Sequence, residues 1–228
     1  MSEFVLFGTS HTTALAIALA CCVSVARIYP PSPTDRWLPK GIALGLLALV
    51  IFKPVLYVGV YGEPWTTSLP LALCRINEFL CIFMMLQSSY RAFEIAYFLS
   101  IGSISALLMP DLAAGFPDPR FVLFFLSHSL SLLAVLYAIV HLGFRPTLQS
   151  LRRALLFLAI YTLFIAGANL LLDSNYLFLR EKPAGSSILD LFGPWPFYLI
   201  ALIGLAVILC YLCYLPFAGS QALSRRKN

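Results

Sequence analysis

Long apolar runs recur along the whole of this 228-residue sequence, and no other feature constrains its fold as strongly. An α-helix needs about 20 apolar residues to cross the hydrocarbon core of a bilayer. Only 11% of the residues are charged, whereas an ordinary soluble domain carries about 25%. The sequence therefore predicts an all-α, polytopic membrane protein that forms one integral membrane domain over residues 1–228.

A bundle of seven transmembrane helices accounts for these runs. The predicted helices cover residues 12–29, 41–61, 69–88, 93–110, 120–143, 153–173 and 195–217, and short proline-rich or charged segments connect them. No basic segment and no clear small-residue cleavage site accompany the first run, so it is interpreted as a retained span and not as a signal peptide. All six cysteines lie in apolar runs, where a disulfide framework is not expected.

Lysine and arginine are distributed unevenly between the two ends of the predicted helices. One side carries ten of them, namely Arg27, Arg36, Lys40, Arg91, Arg145, Arg152, Arg153, Arg225, Arg226 and Lys227, and the other carries three, Arg120, Arg180 and Lys182. By the positive-inside rule, the N-terminus lies outside and the C-terminus is cytoplasmic. Because the net charge of +5 follows this topology, a nucleic-acid partner is not expected.

The most unusual stretch is LPLALCRINEF, residues Leu69–Phe79, at the start of the third predicted helix. Within five positions it carries Cys74, Arg75, Asn77 and Glu78. Charges at membrane depth are costly, so they indicate a functional site. Cys74 precedes Glu78 by one helical turn and shares its face. Pro70 suits the first turn of this helix, which places Cys74 in the second turn, where the helix dipole still favours a thiolate.

Other polar residues are predicted at a similar depth on the outer side. With a rise of 1.5 Å per residue, His128 and Lys53 each lie about 12 Å below the outer ends of their helices, and Cys74 about 7–8 Å. The side chains of His11, Asn169 and Asn175 are expected on the same side. The outer half of the membrane is therefore predicted to hold the polar site, and the inner half to be plain apolar packing.

These residues suggest a nucleophile and its base. A thiol needs a base at neutral pH, and imidazole is the usual one, so Cys74 and His128 are the candidate pair. The alternative for Cys74 is inert packing, and for His128 an interhelical hydrogen bond. His11 is either a helix cap or an outer-site residue. Three histidines without a suitably spaced acidic pair do not indicate a metal site, and no cofactor is expected.

The charged residues have more than one interpretation. Lys53 and Glu78 are expected to pair with each other, because pairing is the least costly state for both at membrane depth. Arg75 either pairs with Glu78 or faces the surface and holds a lipid phosphate. Asn169, Asn175 or backbone N–H groups are candidate donors to an oxyanion, and the sequence does not select among them.

The long outer loop, NYLFLREKPAGSSILDLFGPWPFY over residues 175–198, is the second informative stretch. Its aromatic residues, which include Trp195, are typical of an interfacial belt. Its irregular composition also suits a lid over a polar cavity, since irregular backbone at membrane depth is tolerated only there. Pro194 and Pro196 are predicted to start the last helix.

Three stretches together resemble a known family. They are LPLALCRIN with Cys74, FFLSHS with His128, and the run from Asn169 through NYLFLREKP, which holds Asn175, Tyr176 and Lys182, to LDLFGPWPFY. Over most of the chain the sequence resembles the YwaF-like family of bacterial integral membrane proteins, the group that contains transmembrane protein 164. One departure is Ala72, where the motif is expected to hold a second polar residue, often histidine.

The resemblance implies an activity. The eukaryotic relative is known as a membrane acyltransferase of ether phospholipids that works through a cysteine and a histidine. The likeness thus implies that Cys74 is the acyl-accepting nucleophile and His128 its base. Membrane phospholipids and lysolipids are the implied partners, and a bacterial cytoplasmic membrane the implied location.

Three rival functions remain open at this stage. The first is a lipid hydrolase that uses the same pair with water as the acceptor. The second is a small transporter or lipid-binding protein in which Lys53, Arg75 and Glu78 line a path, although no clear inverted repeat is visible. The third is a structural partner or sensor without catalysis.

Overall fold

The computed structural model describes residues 3–27, 37–183 and 188–225, and these residues are helical apart from the connections and an isolated β-bridge between Glu3 and Ala114. The helices are α1 (Thr9–Arg27), α2 (Trp37–Gly59), α3 (Trp65–Ser68), α4 (Leu73–Gln87), α5 (Tyr90–Leu108), α6 (Pro119–Val140), α7 (Leu148–Leu172) and α8 (Phe197–Arg225), with 3₁₀ turns at Tyr176–Phe178 and Ile188–Phe192. The end of the first predicted helix (28–29), the basic residues Arg36, Arg226 and Lys227, and loop residues 184–187 lie outside the described residues.

Six of the described helices are long and apolar enough to cross a membrane, namely α1, α2, α5, α6, α7 and α8. Each coincides with one of the predicted spans, and the ends differ by a few residues except at α8, which continues to Arg225, beyond the predicted end at 217. The predicted all-α, multi-pass architecture is therefore confirmed over the described part of the chain. The remaining predicted span, residues 69–88, has a different structure.

Residues 65–87 do not form one continuous helix. Leu69 and Ala72 are extended, with φ/ψ of −60°/152° and −67°/149°, so a non-helical link separates α3 from the 15-residue α4. Pro70 explains the break, because a residue that precedes proline is disfavoured in the helical region. The prediction that Pro70 lies in the first turn is therefore wrong. Cys74 is the second residue of α4 and lies in its first turn, not its second.

The main core lies between α2, α4, α5 and α6. Its most deeply buried residues include Leu46, Cys81, Met84, Phe93 and Ala134. Helices α7 and α8 pack on the other side of α5 around Phe98, Leu151, Ala154 and Cys210. The consequence for function is that α2, α4 and α6 contact one another directly, so side chains from these helices can meet inside the bundle.

Helix α1 is peripheral and packs against α6. Its single buried residue in the described structure is His11. The Phe7 N–H donates to Nδ1 of His11 at 2.9 Å, and Nε2 therefore donates to the Leu107 carbonyl at 2.9 Å. The rings of Phe4 and Phe125 complete its surroundings. Both ring nitrogens are thus used in attaching α1 to the bundle, and His11 is a structural residue in this arrangement.

The last helix begins later than predicted. Helix α8 starts at Phe197, whose N–H donates to the Pro194 carbonyl at 2.9 Å, and the Leu199 N–H donates to the Pro196 carbonyl at 3.0 Å. The two prolines therefore precede the helix and accept its first hydrogen bonds. This is consistent with their lack of an N–H and with their fixed φ.

Candidate active site

A buried ion pair joins α2 to α4. Lys53 Nζ lies 2.6 Å from Glu78 Oε1, and the two residues are only 4% and 1% exposed. Arg75 Nη1 lies 3.7 Å from the other carboxylate oxygen, Oε2. The predicted pairing of Lys53 with Glu78 is confirmed, and Arg75 joins the same carboxylate more distantly. We refer to Lys53, Arg75 and Glu78 as the charged cluster.

Several polar atoms in and beside the charged cluster lack a hydrogen-bond partner within the described structure. They are Arg75 Nη1, Glu78 Oε2, Asn77 Oδ1 and Ser68 Oγ. Asn77 is fully buried, and its amide nitrogen reaches Ser100 Oγ only at 3.5 Å. An unsatisfied buried polar atom costs about 1–3 kcal/mol. Such atoms are rare in native structures and call for an explanation such as a bound group or a catalytic role.

Cys74 lies half-buried in the first turn of α4. His128 lies on α6 and is 5% exposed. Its Nδ1 lies 2.8 Å from the Phe124 carbonyl oxygen. A carbonyl can only accept, so Nδ1 carries the proton and Nε2 is the basic nitrogen of the ring. The imidazole is therefore held in the tautomer that a general base requires.

Cys74 and His128 share their charged surroundings. Lys53, Arg75 and Glu78 each interact electrostatically with the Cys74 thiol and with the His128 imidazole. Across the described ranges, no hydrogen bond joins the thiol to the imidazole. The two side chains thus come from two packed helices and have the same three charged residues as electrostatic neighbours.

Two tyrosine hydroxyls hold the link that precedes Cys74. Tyr176 donates to the carbonyls of Thr66 at 2.7 Å and Leu69 at 3.3 Å. Tyr161 of α7 donates to the Leu71 carbonyl at 2.9 Å. Burial raises the pKa of Tyr176, so its hydroxyl remains a donor. Sequence reasoning missed Tyr161, for which the one available signal was a tyrosine within an apolar run.

Asn169 and Asn175 organise the loop after α7. Asn169 Oδ1 accepts from Ser174 Oγ at 3.0 Å and from the Tyr176 N–H at 2.8 Å, while its amide donates to the Tyr176 carbonyl at 2.9 Å. Asn175 Oδ1 accepts from the N–H of Arg180 at 3.0 Å, and its amide donates to the Glu181 carbonyl at 2.8 Å. Both side chains are engaged within the loop, which leaves backbone groups as the stronger candidates for binding an oxyanion.

Replacing Asn169 by alanine is expected to destabilise the protein by about 2 kcal/mol, because the buried Tyr176 N–H and carbonyl lose their partner. The loop from Asp173 to Pro183 should then become the first site of protease cleavage. Thermal unfolding in detergent and limited proteolysis would measure both effects. Asn175→Ala, at a half-buried position, provides the matched control and should cost less. Equal stability of the two variants would contradict this role for Asn169.

The loop lines a cavity of about 380 Å³ together with α3. Asn175, Tyr176 and Lys182 are among its lining residues. Lys182 Nζ lies 3.6 Å from Asp190 Oδ1 and 5.6 Å from the centre of the Tyr198 ring. The loop thus lines a cavity with several polar residues, which does not include Cys74 or His128, so the lid interpretation stays a prediction. Trp195 is 60% exposed, as a belt residue would be. Of these residues, Tyr176 alone also contacts the link before Cys74.

A second buried carboxylate lies at the opposite end of the bundle. Glu94 of α5 is 1% exposed and accepts from Arg153 Nη1 at 2.7 and 2.8 Å and from Ser150 Oγ at 2.8 Å. The prediction that this half of the membrane holds only apolar packing is therefore wrong. The signal that was available is an acidic residue just inside the fourth predicted helix, with an arginine at the start of the sixth. Because Glu94 is fully paired, it has the features of a structural ion pair.

Six apolar membrane-length helices with a charged cluster enclosed between α2, α4 and α6 define this chain as a multi-pass membrane protein with a polar site inside its helical bundle. The family model of the TMEM164 family matches residues 6–214, nearly the whole chain. The chain therefore belongs to the TMEM164 family, and the resemblance inferred from its three motifs is confirmed.

The comparison with individual proteins gives the same extent of similarity. An uncharacterized protein of Treponema pallidum (strain Nichols) is 27% identical to this chain over 222 residues, which are 96% of this chain and 92% of the relative. No protein of solved structure matches the chain. The similarity to the Treponema protein thus extends across the whole bundle and is not confined to one motif.

Proposed function

We propose that this protein is a membrane-embedded acyltransferase that moves a fatty acyl chain between lipids through a cysteine acyl-enzyme. Cys74 is the nucleophile and His128 is its base. The observation that carries the proposal is that the thiol and the imidazole, on two packed helices, lie around one buried charged cluster with unpartnered polar atoms. Membership of the TMEM164 family supports the same assignment.

The reaction follows from these two groups in two steps. His128 Nε2 takes the Cys74 proton, the thiolate attacks the carbonyl carbon of a phospholipid ester, and the lysolipid leaves with the proton from the imidazolium. A second lysolipid then gives its hydroxyl proton to His128 and attacks the thioester. A new phospholipid forms, and the released Cys74 thiolate takes the proton back from His128. The substrates of this scheme are membrane phospholipids and lysolipids.

The topology that fits this function has seven crossings, with the N-terminus outside and the C-terminus in the cytoplasm of a bacterium. Helix α4 is the seventh crossing. At 1.5 Å per residue it spans about 22 Å, short of a core of about 30 Å, so α3 and the link complete the passage. The charge count on the connecting segments supports this orientation. Cys74 then lies in the leaflet of the cytoplasmic membrane that faces away from the cytoplasm.

Labelling with an acyl-type, cysteine-directed probe in membranes tests the assignment. Of the six cysteines, Cys74 alone is expected to react, and His128→Ala is expected to suppress the reaction because the thiol loses its base. His141→Ala is the matched control, since His141 is bonded to the Val25 carbonyl at the far end of α6. Labelling spread over several cysteines, or full labelling of His128→Ala, would count against the proposal.

Product analysis distinguishes the transferase from a hydrolase. Purified protein is given a phospholipid with a labelled acyl chain, with and without an added lysolipid of a different head group. Transfer places the label on the added lysolipid, whereas hydrolysis releases it as free fatty acid. A transporter or lipid-binding protein would be indicated if Cys74→Ala kept full function and loss of charge at Lys53 or Glu78 abolished it.

A further inference from the structure

Helix α4 begins without a side-chain cap. Its N-cap residue is Ala72, whose methyl side chain can neither donate nor accept, and no other side chain caps the helix. The N–H groups of Arg75 and Ile76 donate to the Ala72 carbonyl at 3.0 and 3.2 Å. For the N–H groups of Leu73 and Cys74, the described structure contains no acceptor. Helices usually satisfy such donors with Ser, Thr, Asp or Asn at the N-cap.

A buried cation that is only distantly ion-paired lies in the first turn of this helix. Arg75 is 8% exposed, and its Nη1 lies 3.7 Å from Glu78 Oε2 and makes no hydrogen bond in the described structure. Its guanidinium interacts electrostatically with the Cys74 thiol, the His128 imidazole and the Tyr176 hydroxyl. A buried charged donor is costly unless it finds an acceptor. An anion that forms next to Cys74 would supply that acceptor.

The helix start is also held rigidly. Tyr161 and Tyr176 fix the carbonyls of Leu71 and Leu69, so the link enters α4 in one conformation. Donors that are fixed before the reaction stabilise a developing charge most effectively, since no reorganisation is needed when the charge appears. The nearby asparagines do not compete for this role, because Asn169 and Asn175 are bonded within the loop.

We infer that the backbone N–H groups of Leu73 and Cys74, supported by the Arg75 guanidinium, form the oxyanion hole of the acyl-transfer reaction. This inference rests on the proposed function and specifies how its transition state is bound. The open N-terminus of α4, with its partial positive charge, favours an anion at this position. In this chain the donors stay free because Ala72 supplies no capping side chain.

The electron flow agrees with this placement. When the Cys74 sulfur bonds to the ester carbonyl carbon, the electron pair of the carbonyl bond moves onto its oxygen, which becomes the oxyanion. That oxygen accepts from the two N–H groups. The carbonyl bond then re-forms, the bond to the lysolipid oxygen breaks, and this oxygen takes the proton held by His128. In the second half, the lysolipid oxygen attacks the thioester carbonyl carbon and the sulfur leaves. The negative charge again forms on the same carbonyl oxygen, which accepts from the same two N–H groups.

The variant Leu73→Pro tests the inference because it deletes one N–H and little else. Proline is favoured at the first position of a helix, and Ala72 already has the φ/ψ of −67° and 149° that a residue before proline adopts. Leu73→Ala is the matched control, since it shortens the same side chain and keeps the N–H. We expect Leu73→Pro to transfer acyl chains about 10²-fold more slowly than Leu73→Ala. Alkylation of Cys74 by iodoacetamide, which forms no oxyanion, should be equal in the two.

Each outcome decides the question. Equal transfer rates in Leu73→Pro and Leu73→Ala would overturn the inference, while inactivity of Cys74→Ala would still support the proposed function. Activity in Cys74→Ala would overturn both the oxyanion-hole inference and the proposed function. If Leu73→Pro also loses alkylation, Arg75→Met decides: a fall in kcat of about tenfold or more with KM and alkylation retained supports the site, and an unchanged kcat overturns it.

Discussion

Replacing Cys74 by alanine is expected to lower the rate of acyl transfer by at least about 10³-fold, because no acyl-enzyme can form without the thiol. The measurement is transfer of a labelled acyl chain to a lysolipid by the purified protein. Cys74→Ser should retain a small residual rate, since a hydroxyl is a weaker nucleophile in the same place. A Cys74→Ala variant with the rate of the native protein would exclude covalent catalysis at this residue.

The matched control is Cys81→Ala on the same helix. Cys81 is completely buried, and its thiol donates to the Ser131 carbonyl at 3.7 Å. Burial among core residues is the usual state of a cysteine that serves only in packing. We expect this variant to be slightly less stable and to keep its rate of acyl transfer. The contrast between the two positions separates loss of the nucleophile from general damage to α4.

Replacing Glu78 by leucine is expected to lower the free energy of unfolding by about 3–5 kcal/mol, because it leaves the Lys53 ammonium buried and unpaired. The double variant Lys53→Met with Glu78→Leu should recover most of this loss, since a buried ion pair and well-packed apolar residues have similar stability. Reversible denaturant unfolding in detergent micelles provides both values. If the double variant were as unstable as the single one, pairing would not be the main role of these charges.

An exposed ion pair provides the control for Glu78. Asp173 Oδ1 lies 2.7 Å from Arg180 Nη1, and the two side chains are 91% and 45% exposed. Asp173→Asn keeps a side chain that tolerates the left-handed backbone at this position, where φ is 46°. Its expected cost is below about 1 kcal/mol, as for other surface pairs. If Asp173→Asn lowered the free energy of unfolding as much as Glu78→Leu, the unfolding assay would not distinguish a buried ion pair from a surface one.

The fold was largely predictable because the bilayer imposes a simple requirement on the sequence. A helix that crosses it needs a long apolar run, and the runs gave the positions of all six long helices, with only the end of α8 placed well short of Arg225. The failure at α4 has a local cause. Apolar residues continue through Leu69–Ala72, so the pattern indicates helix there, but the effect of Pro70 on Leu69 overrides it.

The candidate site was predictable only where a pairwise rule applied. Lys53 and Glu78 were expected to pair because a charge at membrane depth needs a partner, and they do. The same rule applied to Glu94 and Arg153 would have found the second ion pair. No rule relates Tyr161 to the Leu71 carbonyl, 90 residues away, or assigns Asn169 to the loop that follows it. Such contacts depend on how the helices pack and are not encoded in any short stretch.

The way in which α1 is attached has a consequence for comparing related sequences. It is anchored near its beginning through His11, and from Ala14 to Arg27 none of its residues is buried. That part meets hydrocarbon over much of its circumference, so many different apolar residues can serve there equally well. A difference between relatives at the exposed positions of this half should be read as drift, unlike one at Cys22 or Val25, which pack against the core. A change at position 11 would require a matching change in the surroundings of its ring, at Leu107 and Phe125.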